Sequence, residues 1–190
     1  MGVSGNLTGW LFAIARATAT GVCFGPVSTA KPRLLTFDMH EGGQSRPERL
    51  AWFYTKLRGF FGDNHIDQVR YERPMNVAVA SKLGVNDDTI TLLHGAVAIL
   101  EVCAVRADIM DINNFSVQDA RHHLTGQRTH GRTKAGKNLG KEAVMRACRM
   151  LRVDAKNDNE ADAYAGWSYS CGLANPRIAH LVTPLWNQRT

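Results

Sequence analysis

The chain has 190 residues, 44% of them hydrophobic and 21% charged, which is enough to build a core without disulfide or metal staples. Lys and Arg number 23 against 17 Asp and Glu, so the formal charge is +6 and the pI about 9.4, a balance that suits a polyanionic partner without requiring one. The four cysteines, Cys23, Cys103, Cys148 and Cys171, are widely spaced in apolar stretches and form no C-x-x-C pair; this argues against zinc and reads as reduced core thiols of a cytoplasmic protein.

In chain order, residues 7–25 carry no basic leader, and Arg16 and several glycines interrupt the apolar run, so neither a targeting segment nor a membrane span is expected. Residues 10–25, "WLFAIARATATGVCFG", place two β-prone runs around a polar centre and predict a hairpin; 32–39 supply a third strand. A helix follows from Ser45 and Pro47, its apolar positions Leu50, Phe53, Tyr54, Leu57, Phe60 and Phe61 at helical spacing, with Gly62 as its stop. Residues 65–74 read as a short strand ended by Pro74, and 73–84 as the loop after it. Residues 87–107 are a long apolar helix in which Gly95 suggests a close helix–sheet contact, 107–113 a further strand, and 117–124 a helix capped by Ser116. The basic, glycine-rich stretch 125–140 is expected to be a loop, 141–153 and 160–172 the last two helices, and 173–190 a loosely structured tail. Three leading strands, then strands alternating with helices, predict one α/β domain over 1–190 with a mixed sheet. No G-x-x-x-x-G-K phosphate loop is present, which excludes a P-loop nucleotide motor.

Acids at element ends are the chemistry-bearing positions. Glu72 closes the fourth predicted strand between Tyr71 and Pro74; an acid there is expected to be paired with Arg70 or Arg73, or to bind a metal. Downstream, "KNDNEADAYAGW" (156–167) opens an apolar helix with Asp158, Glu160 and Asp162. Capping accounts for Asp158 and Glu160, but Asp162 lies too far into the helix. It stands between Ala161 and Ala163, whose small side chains let a helix approach a sheet closely enough for its carboxylate to meet one from a strand end.

A first hairpin, a Glu ending the strand after the first long helix, "LLHGAVAIL", "VQDARHHLTGQ…GKNLGKEAV" and "NEADA" come in an order that resembles the RuvC family of Holliday-junction resolvases, over roughly residues 10–172. The resemblance implies an RNase H-like α/β fold, a mixed five-stranded sheet with helices on both faces. It also implies a structure-selective endodeoxyribonuclease that resolves Holliday junctions or branched DNA by paired nicks, through two Mg²⁺ ions (or Mn²⁺) held by carboxylates. By this likeness Glu72, Asp158 and Asp162 are the metal ligands. The family's penultimate acid or His falls on Asn159, leaving open whether Asp158, Asn159 or Glu160 completes the set. Lys141 matches a lysine expected beside the scissile phosphate. Two symmetrical nicks imply a homodimer, with the helix around 89–103 as its surface.

One departure stands out. The family's first aspartate matches Ala15, within "AIARATATG". Either the chain is a nuclease inactivated at this position, which the remaining site residues favour, or it is a natural relative that binds junctions without cleaving. A third reading is an RNase H-like nuclease acting on flaps or hybrids. Asp38, late in the third strand, is not expected to replace the missing acid.

The positive charge is uneven. From Arg121 to Arg152 nine Lys or Arg residues face a single acid, Glu142, with His122, His123 and His130 among them. Arg121, Arg128, Arg132, Lys134, Lys137 and Lys141 are therefore candidate DNA contacts, joined by Arg73, Asn76 and Lys82 after Glu72, where Met75 and Val77 are candidate wedges against bases. The insert between Gly126 and Lys141 favours a divergent, phage-encoded member, acting in the nucleoid or in host cytoplasm.

Overall fold

In a computed structural model, the backbone of residues 10–15 and residues 19–27, 31–128, 131 and 139–174 are described. The hairpin forms as β1 (Trp10–Ala15) and β2 (Ala19–Gly25), with Trp10 opposite Gly25 and Ala15 opposite Thr20. β3 (Arg33–Asp38) extends it antiparallel to β2, and β4 (Gln68–Glu72) and β5 (Asp111–Phe115) add parallel strands beyond β1. The order is β3-β2-β1-β4-β5. Short connections allow the antiparallel half, whereas β4 and β5 are each reached through a crossover helix, which returns the chain in the same direction.

Those crossovers are α1 (Arg46–Asp63) and, after the short α2 (Val77–Lys82), α3 (Asp87–Arg106). They cover one face of the sheet. Val22, Phe24, Val69 and Tyr71 meet Phe53, Leu57 and Phe61 of α1 and Leu92, Ala96 and Leu100 of α3. α3 is long and apolar enough to cross a membrane, yet six of its residues are buried in this core. The other face carries α4 (Val117–Thr125), α5 (Leu139–Met150) and α6 (Asp158–Ala174). There Cys23 and Phe115 pack with Leu124, Val144, Ala161, Ala165 and Trp167. The period-two alternation of Val22, Cys23 and Phe24 feeds both cores from one strand. Each such side chain contributes about 1.5–3 kcal/mol when fully buried. All four cysteines are free and buried.

Capping follows the sequence closely. Ser45 and Glu48 form a reciprocal capping box on α1, Ser116 accepts from the Asp119 N–H to start α4, and Gly126 at φ 74° ends it in the left-handed region. Several expectations are corrected. Residues 73–84 are not all loop, because Asn76 caps α2. β5 runs 111–115 rather than 107–113, since α3 and its turn occupy the chain through Asp108. α1 passes Gly62 to Asp63, and the Asn64 N–H closes onto the Phe60 carbonyl. Gly95 faces Leu50 of α1, not the sheet. The last helices run 139–150 and 158–174, so Leu173 and Ala174 are helical. Residues 175–190 of the expected tail and most of the basic loop lie outside the described residues.

Candidate functional site

α6 positions the site. From Glu160 to Ser168 every residue is buried, because the helix is enclosed between the sheet and the pair α4 and α5. Alanines at 161, 163 and 165 keep its surface low, and two glycines set the closest approaches. A Cβ on Gly21 of β2 would overlap the Asn159 carbonyl, and one on Gly166 would overlap the Phe115 ring. The first turn of α6 is thereby held at the sheet end where β1 and β4 stop, near Ala15 and Glu72. Asp38 ends β3 at the far edge and caps the 3₁₀ turn Met39–Gly42 by accepting from the His40 N–H.

The three acids of the opening turns have separate partners. Glu160 is a structural acid. Its carboxylate accepts from Thr36 Oγ1 at 3.1 Å and from the Lys156 N–H at 2.8 Å, while Asn157 Oδ1 accepts from the Glu160 N–H at 2.9 Å. Asn157 Nδ2 donates to Thr36 Oγ1 at 3.0 Å. This network caps α6 and ties it to β3, which removes Glu160 from the candidate metal set. Asp158, one turn before Asp162, pairs with Lys141 in the first turn of α5. Lys141, expected beside a scissile phosphate, has Asp158 as its partner in this structure.

Asp162 is 1% exposed and holds Arg121 of α4 in a two-pronged pair. Arg121 Nε donates to Oδ1 at 2.9 Å and Nη2 to Oδ2 at 2.6 Å. Arg121 was expected on DNA; it sits inside instead, because a carboxylate this deeply buried requires a charge partner. Burial alone would lower the Arg121 pKa. The hydrogen-bonded Asp162, with the charges of Glu72 and Asp158, outweighs that and raises it. Arg121 is thus the positive centre of the acids that the sequence singled out.

The divalent-ion reading can be tested against this arrangement. Asn159 Oδ1 is buried without a hydrogen-bond donor, an acceptor that a cation would satisfy. Against it, Ala15 supplies no ligand atom, both Asp162 oxygens are engaged by a guanidinium, and no three His, Cys, Asp or Glu side chains among the described residues converge to hold an ion. The residues present do not fit a metal centre, so the set Glu72, Asp158 and Asp162 is corrected to an acid cluster organised around Arg121.

The remaining candidates divide. Arg73 is exposed, its Nε donating to Asn114 Oδ1 at 2.8 Å. Arg70 joins Asp111 and Gln68. Met75 and Val77 are about half exposed, at 47% and 51%, and Lys82 is exposed at the end of α2. Asn76 is committed to its cap. Arg128 lies 4.0 Å from Asp119 at the surface. Arg132, Lys134 and Lys137 lie outside the described residues. No sequence motif marked the groove of about 460 Å³ lined by Arg70, Arg73, Asn113, Asn114, Ser116 and Tyr169. Two strand ends and the far half of α6 assemble it, and only the fold brings them together.

A mixed sheet between two helical layers, with acids at one sheet end, defines an α/β fold of the RuvC kind. Among solved structures the chain is similar to Thermus thermophilus RuvC in complex with a Holliday junction substrate, at TM-score 0.64 and 14% identity, covering 93% of this chain and 98% of that one. A second Thermus thermophilus RuvC structure matches at TM-score 0.63 and 14% identity, with the same coverage. No protein-family model matches the sequence, and no curated relative does.

Proposed function

We propose that this chain is a RuvC-like protein that binds four-way or branched DNA selectively, and that in its Ala15 form it holds the junction without cutting it. The observation that carries this reading is the gathering of Glu72, Asp158 and Asp162 about Arg121, with Lys141 on Asp158, within a fold shared with a protein solved on a Holliday junction. Nicking requires, at the least, an aspartate at position 15; here the strand end lacks that acid and the residues present do not hold a metal. Exposed Arg73 and Lys82, with Arg128 and the basic loop, supply phosphate contacts, and the half-exposed Met75 and Val77 serve as the wedge against unstacked bases. Arms of a junction are related by two-fold symmetry, which a homodimer matches. The outer face of α3, where Val102 and Val105 are 53% and 51% exposed, is the surface assigned to it.

The test is a competition between a synthetic four-way junction and linear duplex of the same sequence, read by gel mobility in EDTA. Preference for the junction, with no nicks after Mg²⁺ is added, is expected. Equal binding of the two DNAs would defeat the proposal. Parallel flap and RNA–DNA hybrid substrates decide between junction selectivity and the broader nuclease-fold alternative.

A further inference from the structure

We infer that Arg121 is the resident cation of this acidic site, taking the place a divalent ion would need at Asp162, so that an aspartate introduced at position 15 does not by itself confer metal binding. The inference rests on the site residues of the proposed function and not on their binding DNA.

The first support is geometric. Asp162 is almost wholly buried, and a carboxylate in that position needs a cation held at contact distance. Arg121 meets it with two parallel hydrogen bonds, engaging both oxygens, and is itself only 15% exposed. The fork geometry of guanidinium on carboxylate is specific, and a lysine or a hydrated ion does not reproduce it.

A second support comes from the neighbours. Glu72 on β4 and Asp158 on α6 act on the same guanidinium, and Asp158 has its own lysine, Lys141. Three acids and two paired cations, the enclosed Arg121 and the more exposed Lys141, leave these five groups one charge from neutral, where the acids alone would repel a phosphate backbone. A divalent ion approaching Asp162 would have to displace a salt bridge or share the pocket with a like charge. Positive charges in contact weaken ion binding on the order of 100-fold or more.

The chain also places Arg121 by ordinary means. It follows the Ser116 cap by five residues on α4, in the turn after Asp119, and α4 packs directly on α6. Thr125 Oγ1 donates to the Arg121 carbonyl at 2.7 Å, closing the same turn.

The experiment uses four proteins without DNA: the chain itself, Ala15→Asp, Arg121→Gln, and the double variant. Mn²⁺ binding is followed by electron paramagnetic resonance of the free ion, and melting temperature is recorded with MnCl₂ and with EDTA. The unaltered chain and Ala15→Asp are expected to show no saturable Mn²⁺ binding and no Mn²⁺-dependent rise in Tm. The double variant is expected to bind Mn²⁺ at least on the order of 100-fold more tightly than Ala15→Asp, with Tm rising as ln(1 + [Mn²⁺]/Kd). If the double variant is unfolded in EDTA, recovery of its fold by Mn²⁺ supports the inference equally. Tight Mn²⁺ binding by Ala15→Asp alone overturns it. So does a double variant that neither folds nor binds with Mn²⁺ present. Failure of the junction competition with these ion results intact would instead remove only the DNA-binding reading.

Discussion

Gly21 of β2 lies so close beneath Asn159 that a side chain on it would overlap that residue's backbone carbonyl. The contact is backbone against backbone, so nothing flexible can give way. Gly21→Ala must lift the first turn of α6 from the sheet or bend β2, and overpacking of this kind costs about 1–3 kcal/mol or more. Urea denaturation should show a lower midpoint with an unchanged slope. The same lift would separate Asp162 from Arg121, so the variant's loss should exceed that of Gly59→Ala, where a Cβ meets nothing within 4 Å.

The buried pair makes a second prediction. Arg121→Ala leaves Asp162 charged, unpaired and enclosed, and should cost about 3–5 kcal/mol. Adding Asp162→Asn should recover a large part of that loss, because the uncompensated charge disappears with it. A double-mutant cycle in urea measures the coupling. Additive losses would mean that the pair is not an energetic unit.

Thr36 is the hub of the α6 cap, donating to Glu160 and accepting from Asn157. Thr36→Val keeps the shape and removes both bonds, leaving a part-buried carboxylate short of one donor. A loss of about 1–3 kcal/mol is expected. Asn157→Ala, which removes the N-cap itself, should cost about 1 kcal/mol, and the two substitutions together should cost less than their sum.

These contacts show what the sequence could disclose. The β-prone runs, the Ser45 and Ser116 caps and the alanine-lined Asp162 are local facts, so the first four strands, α1, α4 and the burial of Asp162 were legible from the sequence, whereas β5 starts later than expected because α3 and its turn run through Asp108. α2 was hidden because a six-residue helix started by Asn76 looks like a polar loop. Arg121 was misassigned because a basic residue in a basic region reads as a surface charge. Its partner lies 41 residues away, and nothing local reports that the carboxylate is buried.

His123 offers a pH test. Its Nε2 shares a hydrogen bond of 3.2 Å with the buried Ser168 Oγ, and burial, reinforced by the charge of His122, lowers its pKa below the ordinary 6.5. The folded state therefore takes up a proton less readily than the unfolded one. As pH falls through 6.5 the unfolded chain binds its proton first, and stability declines until the folded pKa is passed. Above 6.5 this contribution is constant. Replacing His123 by Gln, which keeps a hydrogen-bonding group for Ser168, should flatten that part of the stability–pH curve measured by urea titration between neutral and mildly acidic pH.

Arg73 and Lys82 test how the proposed DNA surface divides its labour. Arg73 follows the strand-end acid and borders the groove; Lys82 closes α2, some distance along the same exposed segment. If each meets a phosphate, Arg73→Ala and Lys82→Ala should each reduce the slope of log K against log salt by about 1, lowering junction and duplex affinity together. Met75→Ala carries no charge change and should leave the slope alone. As a wedge against unstacked bases it should lower junction affinity selectively, by an amount on the order of a few kcal/mol at most. A Met75 variant that loses duplex and junction binding equally would place that side chain outside the junction-reading surface, and the proposed preference for branched DNA would then have to come from the two-fold arrangement of the proposed dimer.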